Sequence, residues 1–304
     1  MPEVCLLGSP VSHSLSPVFQ NAAFASLNMV DWLYRVRDVE PSGMRHAAAL
    51  VRNQQLAGAN ITLPHKGLAA ELAERRTPLV DLCGAANTWW RDDRGRLNAD
   101  NTDVSGLTAT LDELGVPRRQ GTAIVLGAGG SARAAVVALA SRCERIVVIN
   151  RTLATARDLC TALLQHPDLP SVSLAALAWP HGPRDALDVA QAFAEAQLLI
   201  HATSVSTRDG AAAAEKALRT LPWESLSVMT QAIDLAYARS ATPFVSMAAH
   251  HRLSVTDGAY MLAAQGAASF TRWTGVGAPL AVMQSALAQA LGRNDLLNVP
   301  GHKL

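Results

Sequence analysis

The chain has 304 residues, with 26 basic and 25 acidic side chains and a formal net charge of +1. This balance leaves no electrostatic footprint for nucleic acid or for an anionic membrane surface. A hydrophobic fraction of 49% against 17% charged residues excludes a disordered chain, and the length suits one large domain or two ordinary ones.

Near the N-terminus the apolar run Val4 to Leu7 is too short for a signal peptide, and no apolar stretch reaches the length needed to span a bilayer. Cys5, Cys83, Cys143 and Cys160 lie far apart and form no CxxC pair. Neither a disulfide framework nor a zinc site is expected, and no other metal is. Free thiols point to a reducing compartment, so a cytoplasmic location is the expectation.

Short apolar runs at 4–7, 32–36, 58–62, 123–127, 145–150, 197–203 and 228–235 predict strands. Segments of 3.6-residue periodicity lie between them, for instance 131–141 and 155–164. This order predicts parallel βαβ units and an α/β fold. A helix over 104–115 stops at Gly115 before Pro117, which marks a joint at 104–120. A second joint is expected near 236–258. The Pro- and Ala-rich stretch 165–195 reads as a peripheral insertion.

The strand AIVL runs into GAGGSARAAVVALA (127–140). Gly127, Gly129 and Gly130 fill a tight strand-to-helix turn, where backbone amides can approach a pyrophosphate at the helix N-terminus. A glycine-rich turn that binds nothing is the plainer alternative. A second strand, RIVVIN, ends about 20 residues on, where an acidic residue would accept the ribose 2′-OH of NAD. Asn150, Arg151 and Thr152 stand there instead. The arginine favours the 2′-phosphate of NADP, though it also suits a solvated helix start.

Residues 8–17, GSPVSHSLSP, place Ser12, Ser14 and Ser16 around a helix start, with Ser16 as N-cap and Pro17 at the first helical position. Hydroxyls at a helix N-terminus suit a small carboxylate. In GANITLPHKG, Asn60 and Thr62 alternate and so share one face of a strand. Pro64 then starts a helix with Lys66 in its first turn, and His65 reads as a turn histidine. The chain has three lysines, Lys66, Lys216 and Lys303, against 23 arginines. Arginine keeps its proton near neutral pH and lysine can release it, so Lys66 is a candidate proton carrier. Asn87, Asn101, Thr102 and Asp103 follow in GAANT and NADNTD. With Asn60, Thr62 and Lys66 they form a set suited to a polyol: amides and hydroxyls for hydroxyl groups, and a Lys–Asp pair for proton transfer.

These stretches in their order resemble the shikimate dehydrogenase family nearly end to end. The likeness is carried by GSPVSHSLSPVFQN, NITLPHK, GAANT, NTD followed by Gly106, VLGAGGSARA, NRT, ATSV, DLAY with TPF, and DGAYMLAAQGAASFTRWTG. The resemblance implies two domains. A substrate domain would use both chain ends, residues 1–105 and 251–304, with a Rossmann-like NADP-binding domain over 106–250. It implies reversible hydride transfer between shikimate with NADP and 3-dehydroshikimate with NADPH, a step of aromatic amino-acid (chorismate) biosynthesis. Ser14, Ser16 and Tyr237 would hold the substrate carboxylate. Asn60, Thr62, Asn87, Thr102, Asp103 and Gln265 would meet its hydroxyls, with Lys66 exchanging the proton beside Asp103. The glycine turn, with Ala128 and Ser131, would take the pyrophosphate, and Asn150, Arg151 and Thr152 the adenosine end. Thr203, Ser204, Val205, Leu235, Gly258 and Met261 match positions near the nicotinamide half.

The chain departs from the family pattern at Gln20, His201, Ser206 with Thr207, and Arg239. Thr155 stands where many NADP-using members carry a second basic residue, which implies a relaxed cofactor preference. Two rivals are a quinate/shikimate dehydrogenase and a non-catalytic protein that binds a shikimate-like ligand. Members of the family occur as monomers and homodimers.

Overall fold

Strands buried on both faces need nearly continuous apolar runs, and those runs organise both halves of this chain. The computed structural model describes residues 1–118, 120–203, 205 and 210–293. It divides the chain into two units: Met1–Leu114 with Tyr260–Leu304, and Gly115–Ala259.

The first unit holds a six-stranded sheet of β1 (Glu3–Gly8), β2 (Leu33–Asp38), β3 (Gly58–Ile61), β4 (Arg75–Arg76), β5 (Thr88–Arg91) and β6 (Leu97–Asp100), in the order β2-β1-β3-β5-β6-β4. β1 pairs parallel with β2 and β3, whereas β5 runs antiparallel to β3 and β6. Its helices are α1 (Ser16–Ser26), α2 (Met44–Arg52), α3 (Lys66–Leu72), α4 (Pro78–Cys83), α5 (Thr102–Glu113), α11 (Ala259–Thr274) and α12 (Leu280–Leu291). Cys5, Leu7, Met44, Val51, Ile61, Trp89 and Leu97 form one core on this sheet. Trp89 buries fully because its indole N–H finds the Ala69 carbonyl at 3.0 Å.

The second unit is an all-parallel sheet of β7 (Gln120–Leu126), β8 (Cys143–Asn150), β9 (Ser173–Ala178), β10 (Ala196–His201), β11 (Gln231–Asp234) and β12 (Ser254–Thr256), ordered β12-β11-β10-β7-β8-β9. Between its strands lie α6 (Gly130–Ala140), α7 (Leu153–Leu164), α8 (Pro183–Glu195), α9 (Ala211–Leu218) and α10 (Pro243–His250). The chain winds outward from β7 to β9, returns, and winds the other way from β10 to β12. This is the doubly wound dinucleotide-binding order, and its reversal lies between β7 and β10.

Two expectations are corrected. Residues 165–195 are no peripheral insertion. They supply edge strand β9 and helix α8, and Trp179, Val189 and Phe193 enter the core of this unit. The strand is only half covered, and its apolar run Leu174 to Ala178 is rich in alanine, which favours helices and is depleted in strands. The boundaries expected at 105/106 and 250/251 fall at 114/115 and 259/260. Helix α5 stays in the first unit through buried Val104, Leu107 and Leu111, and Gly106 lies against Gln265 of α11. Strand β12 pairs with β11, which carries the second unit past residue 250.

Candidate active site

The first unit gathers its site where β3 and β6 end, where β5 begins, and where α3, α5 and α11 meet them. Pro64 stops β3, and Lys66 opens α3. Asp103 is the second residue of α5, where a carboxylate complements the helix dipole. Lys66 Nζ lies 2.5 Å from Asp103 Oδ2, with side-chain exposures of 14% and 9%. Asn87 Nδ2 donates to the other carboxylate oxygen at 2.8 Å. Both oxygens of Asp103 are therefore engaged, and the lysine ammonium is held at one of them.

The orientation of Asn87 is fixed from behind. Its Oδ1 accepts the Thr102 backbone N–H at 2.8 Å and the hydroxyls of Thr88 and Thr102 at 3.0 and 3.1 Å. Three donors on the oxygen leave the amide nitrogen to face Asp103. Ser269 of α11 is the hub of this network, within 2.8 Å of the Thr88 hydroxyl, 3.0 Å of that of Thr102 and 2.9 Å of Asn60 Nδ2. Ser269 in turn donates to the Gln265 carbonyl, and Gln265 Oε1 lies 3.4 Å from Asn87 Nδ2.

Two residues expected to meet substrate belong to this scaffold. Thr102 is 1% exposed, with its hydroxyl engaged by Asn87, Thr88 and Ser269. Asn60 accepts the Tyr34 hydroxyl at 2.8 Å and gives its amide hydrogens to the Asn87 carbonyl, Thr88 and Ser269. Thr88 and Ser269 are members of the network around Asn87 that sequence reasoning missed. A threonine in a strand and a serine in a helix carry no local signal of a contact 181 positions apart.

Thr62 is half-buried at the end of β3. His65 is buried and places its ring Nε2 2.5 Å from the Val39 carbonyl, as a turn-fixing histidine does. At α1 the expected cap is corrected: Ser16 is already helical, and Ser14 Oγ takes its backbone N–H at 3.2 Å. The N-cap position falls to Leu15, with no side-chain cap bond, and the Ser14 and Ser16 hydroxyls lie 3.2 Å apart. Tyr237 lies in the second unit on the segment after β11, half-buried.

In the second unit, Gly127, Ala128 and Gly129 link β7 to α6, which opens at Gly130 and Ser131. Gly127 has φ +113°, and a Cβ there would stand 2.9 Å from the Ala202 carbonyl oxygen. Only glycine fits both conditions. A Cβ on exposed Gly129 would meet nothing within 4 Å, so there is open room at the N-terminus of α6. This is the place where a pyrophosphate can reach backbone N–H groups. After β8, Asn150 Nδ2 donates to the Thr152 carbonyl at 3.0 Å, and Arg151 is exposed with no side-chain partner among the described residues. Thr203 and Val205 follow β10, Leu235 follows β11, and Gly258 follows β12. A Cβ on Gly258 would come within 2.3 Å of the Leu235 carbonyl. Met261 sits in the first unit on α11, and Ser204 lies outside the described residues. Among the described residues no cluster of three metal-ligating side chains is present, and no helix is long and apolar enough to cross a membrane.

A family model described as the shikimate dehydrogenase substrate binding domain matches residues 6–89, and one described as the shikimate 5′-dehydrogenase C-terminal domain matches residues 258–288. The chain is 36% identical over 293 residues to the shikimate dehydrogenase (NADP(+)) of Moorella thermoacetica, covering 96% of this chain and 94% of that protein. It is similar to the crystal structure of shikimate 5-dehydrogenase from Thermus thermophilus in complex with NADP(H) and shikimate. That match has 32% identity and a TM-score of 0.78, covering 95% of this chain and all of that one (100%). The ligand-free 5-ketofructose reductase of a Gluconobacter species shares the architecture at 25% identity and a TM-score of 0.78, covering 95% and 98%. With 36% identity across nearly its whole length, the chain belongs to the shikimate dehydrogenase family.

Proposed function

We propose that the chain reduces 3-dehydroshikimate reversibly to shikimate with NADPH, and that Lys66 and Asp103 move the hydroxyl proton. The observation that carries this reading is the nearly sealed Lys66–Asp103 pair, with Asn87 clamped beside it by three donors. A non-catalytic binding site has no need of an ionisable pair withdrawn from water, because the pair adds desolvation cost without adding recognition. The same pair is suited to general acid–base work. Asp103 orients the lysine, and the lysine exchanges a proton with the reacting oxygen. Ser14 and Ser16 at the start of α1 offer hydroxyls to the substrate carboxylate. Asn87, Gln265 and Thr62 offer groups to its ring hydroxyls. Asn60 and Thr102 act by holding Asn87 in place.

The residues of the second unit fit NADP. Open room at Gly129 and the start of α6 suits the pyrophosphate, and Arg151, without a side-chain partner among the described residues, suits a 2′-phosphate better than a bare ribose. When bound, the nicotinamide gives or takes the hydride. Thr155 adds no second positive charge beside Arg151, and this supports a second reading in which NAD is also used. Four buried free thiols are in keeping with the cytoplasm as the proposed compartment.

The test is to follow NADPH formed from shikimate and NADP by absorbance, repeated with NAD and with quinate. Turnover of shikimate with NADP supports the first reading, and comparable rates with NAD support the second. Ligand-induced thermal stabilisation without turnover would replace both with the binding protein.

A further inference from the structure

We infer that His201 is a positioning residue that fixes the polarity of the Thr203 hydroxyl, so that Thr203 presents an oxygen acceptor to a hydrogen-bond donor of the dinucleotide. The inference deepens the dinucleotide reading given above and rests on it.

His201 is the last residue of β10, and Asp234 is its register partner at the end of β11. Both are 1% exposed. His201 Nδ1 lies 2.9 Å from Asp234 Oδ1, and His201 Nε2 lies 2.6 Å from Thr203 Oγ1. The ring stacks on Phe244 at 4.8 Å with an interplanar angle of 7°, which removes its rotational freedom.

The donors around Asp234 decide the tautomer. Oδ1 also accepts the Ala236 backbone N–H at 3.0 Å, and Oδ2 accepts the Thr242 hydroxyl at 2.5 Å. The oxygen facing His201 is thus already an acceptor, and Nδ1 must be the donor to it. In a neutral imidazole the other nitrogen is then an acceptor. Thr203 therefore donates its hydroxyl proton into Nε2, and its remaining lone pairs are left to accept. A threonine without this partner would rotate its hydroxyl and serve either way.

Position gives the hydroxyl its use. Thr203 follows β10 at the point where the strand order reverses, the place where an open α/β sheet binds its ligand. Its backbone nitrogen lies 3.2 Å from where a Gly127 Cβ would stand, so Thr203 borders the glycine turn. Thr203 is only half-buried, while the histidine behind it is sealed. The ligand group it would meet is a donor such as a ribose hydroxyl or a carboxamide N–H.

The test measures NADPH binding by fluorescence titration, with KM for NADP and for shikimate, in the intact chain and in Thr203→Val, Thr203→Ser and His201→Phe. Loss of one hydrogen bond predicts NADPH binding weakened about threefold to tenfold in Thr203→Val, with the KM for shikimate unmoved. Thr203→Ser should restore binding, which a purely structural role for the hydroxyl does not require. His201→Phe keeps the stack on Phe244 and should reproduce the defect of Thr203→Val. Imidazole nitrogen shifts in isotope-labelled protein should show Nε2 of His201 unprotonated at neutral pH. Equal NADPH affinity in Thr203→Val, or a protonated Nε2, overturns the inference and leaves the dinucleotide reading standing. Failure of the unaltered chain to bind NADPH overturns that reading and the inference with it.

Discussion

Lys66 Nζ meets Asp103 Oδ2 at 2.5 Å, with both side chains largely withdrawn from solvent. Proton exchange by such a lysine predicts that Lys66→Ala lowers turnover by about 10²–10⁴-fold, with a much smaller change in the KM for shikimate. Lys66→Arg should not rescue it, because a guanidinium keeps its proton. Steady-state kinetics on purified variants checks both. Normal turnover in Lys66→Ala would remove the lysine from the mechanism.

Ser269 joins α11 to the strands that carry the site. Its hydroxyl is within hydrogen-bond reach of Asn60, Thr88 and Thr102, all buried. Ser269→Ala would leave these groups short of a partner, at a cost of about 1–3 kcal/mol. The denaturation midpoint should fall accordingly. Because Thr88 and Thr102 hold the Asn87 oxygen, the KM for shikimate should rise as well. A variant with unchanged stability and KM would show that the network closes around another group.

The two variants mark where the sequence is legible and where it is not. Lys66, Asp103 and the glycines announce themselves by chemistry, and β1, β7 and β8 by apolar runs that only a doubly covered strand needs. β5 and β6 escape notice because four residues apiece, TWWR and LNAD, are too few to show a period. β9 escapes because its apolar run, Leu174 to Ala178, is rich in alanine, a helix former with weak strand preference. The stretch 228–235 overshoots its strand, Gln231–Asp234, because Val228 and Met229 are apolar yet lie exposed before it. The Ser269 hub is hidden for another reason. Its partners lie 167 to 209 positions away, and no local pattern encodes a hydrogen bond across that span.

Gly127→Ala should damage dinucleotide binding before it damages folding of the first unit. The residue stands at φ +113°, and the added carbon would press on the Ala202 carbonyl at 2.9 Å. Backbone in such a region costs about 1–3 kcal/mol for a residue with a side chain. Relief would move the turn that opens α6. NADPH titration should show weakened binding, and unaltered affinity would separate the turn from the cofactor.

Arg151 is exposed and unpartnered among the described residues, so removing it should disturb little structure. If it contacts the 2′-phosphate, Arg151→Ala loses a charge-assisted bond worth about 1.5–3 kcal/mol, a tenfold or greater rise in the KM for NADP. The KM for NAD, which lacks that phosphate, should stay put. Parallel changes with both cofactors would place the arginine elsewhere.

Burial pushes three thiols far above their ordinary value of about 9: Cys5 to about 12, and Cys143 and Cys160 to about 11 each. For Cys5, a bond to Glu3 adds to the effect. Below about pH 9 these thiols are protonated in both folded and unfolded chains and add no pH dependence. Above it the unfolded chain ionises first and binds fewer protons, so stability falls as pH rises toward the folded values. The chemical denaturation midpoint should therefore drop as the pH rises from about 9 toward about 11. A variant with Cys5, Cys143 and Cys160 all changed to alanine should drop less steeply, whatever its absolute stability. The same thiols should resist alkylation near neutral pH until denaturant is added, since the thiolate is the reactive form. Equal slopes in the two proteins, together with rapid native labelling, would mean that the thiols ionise within the fold.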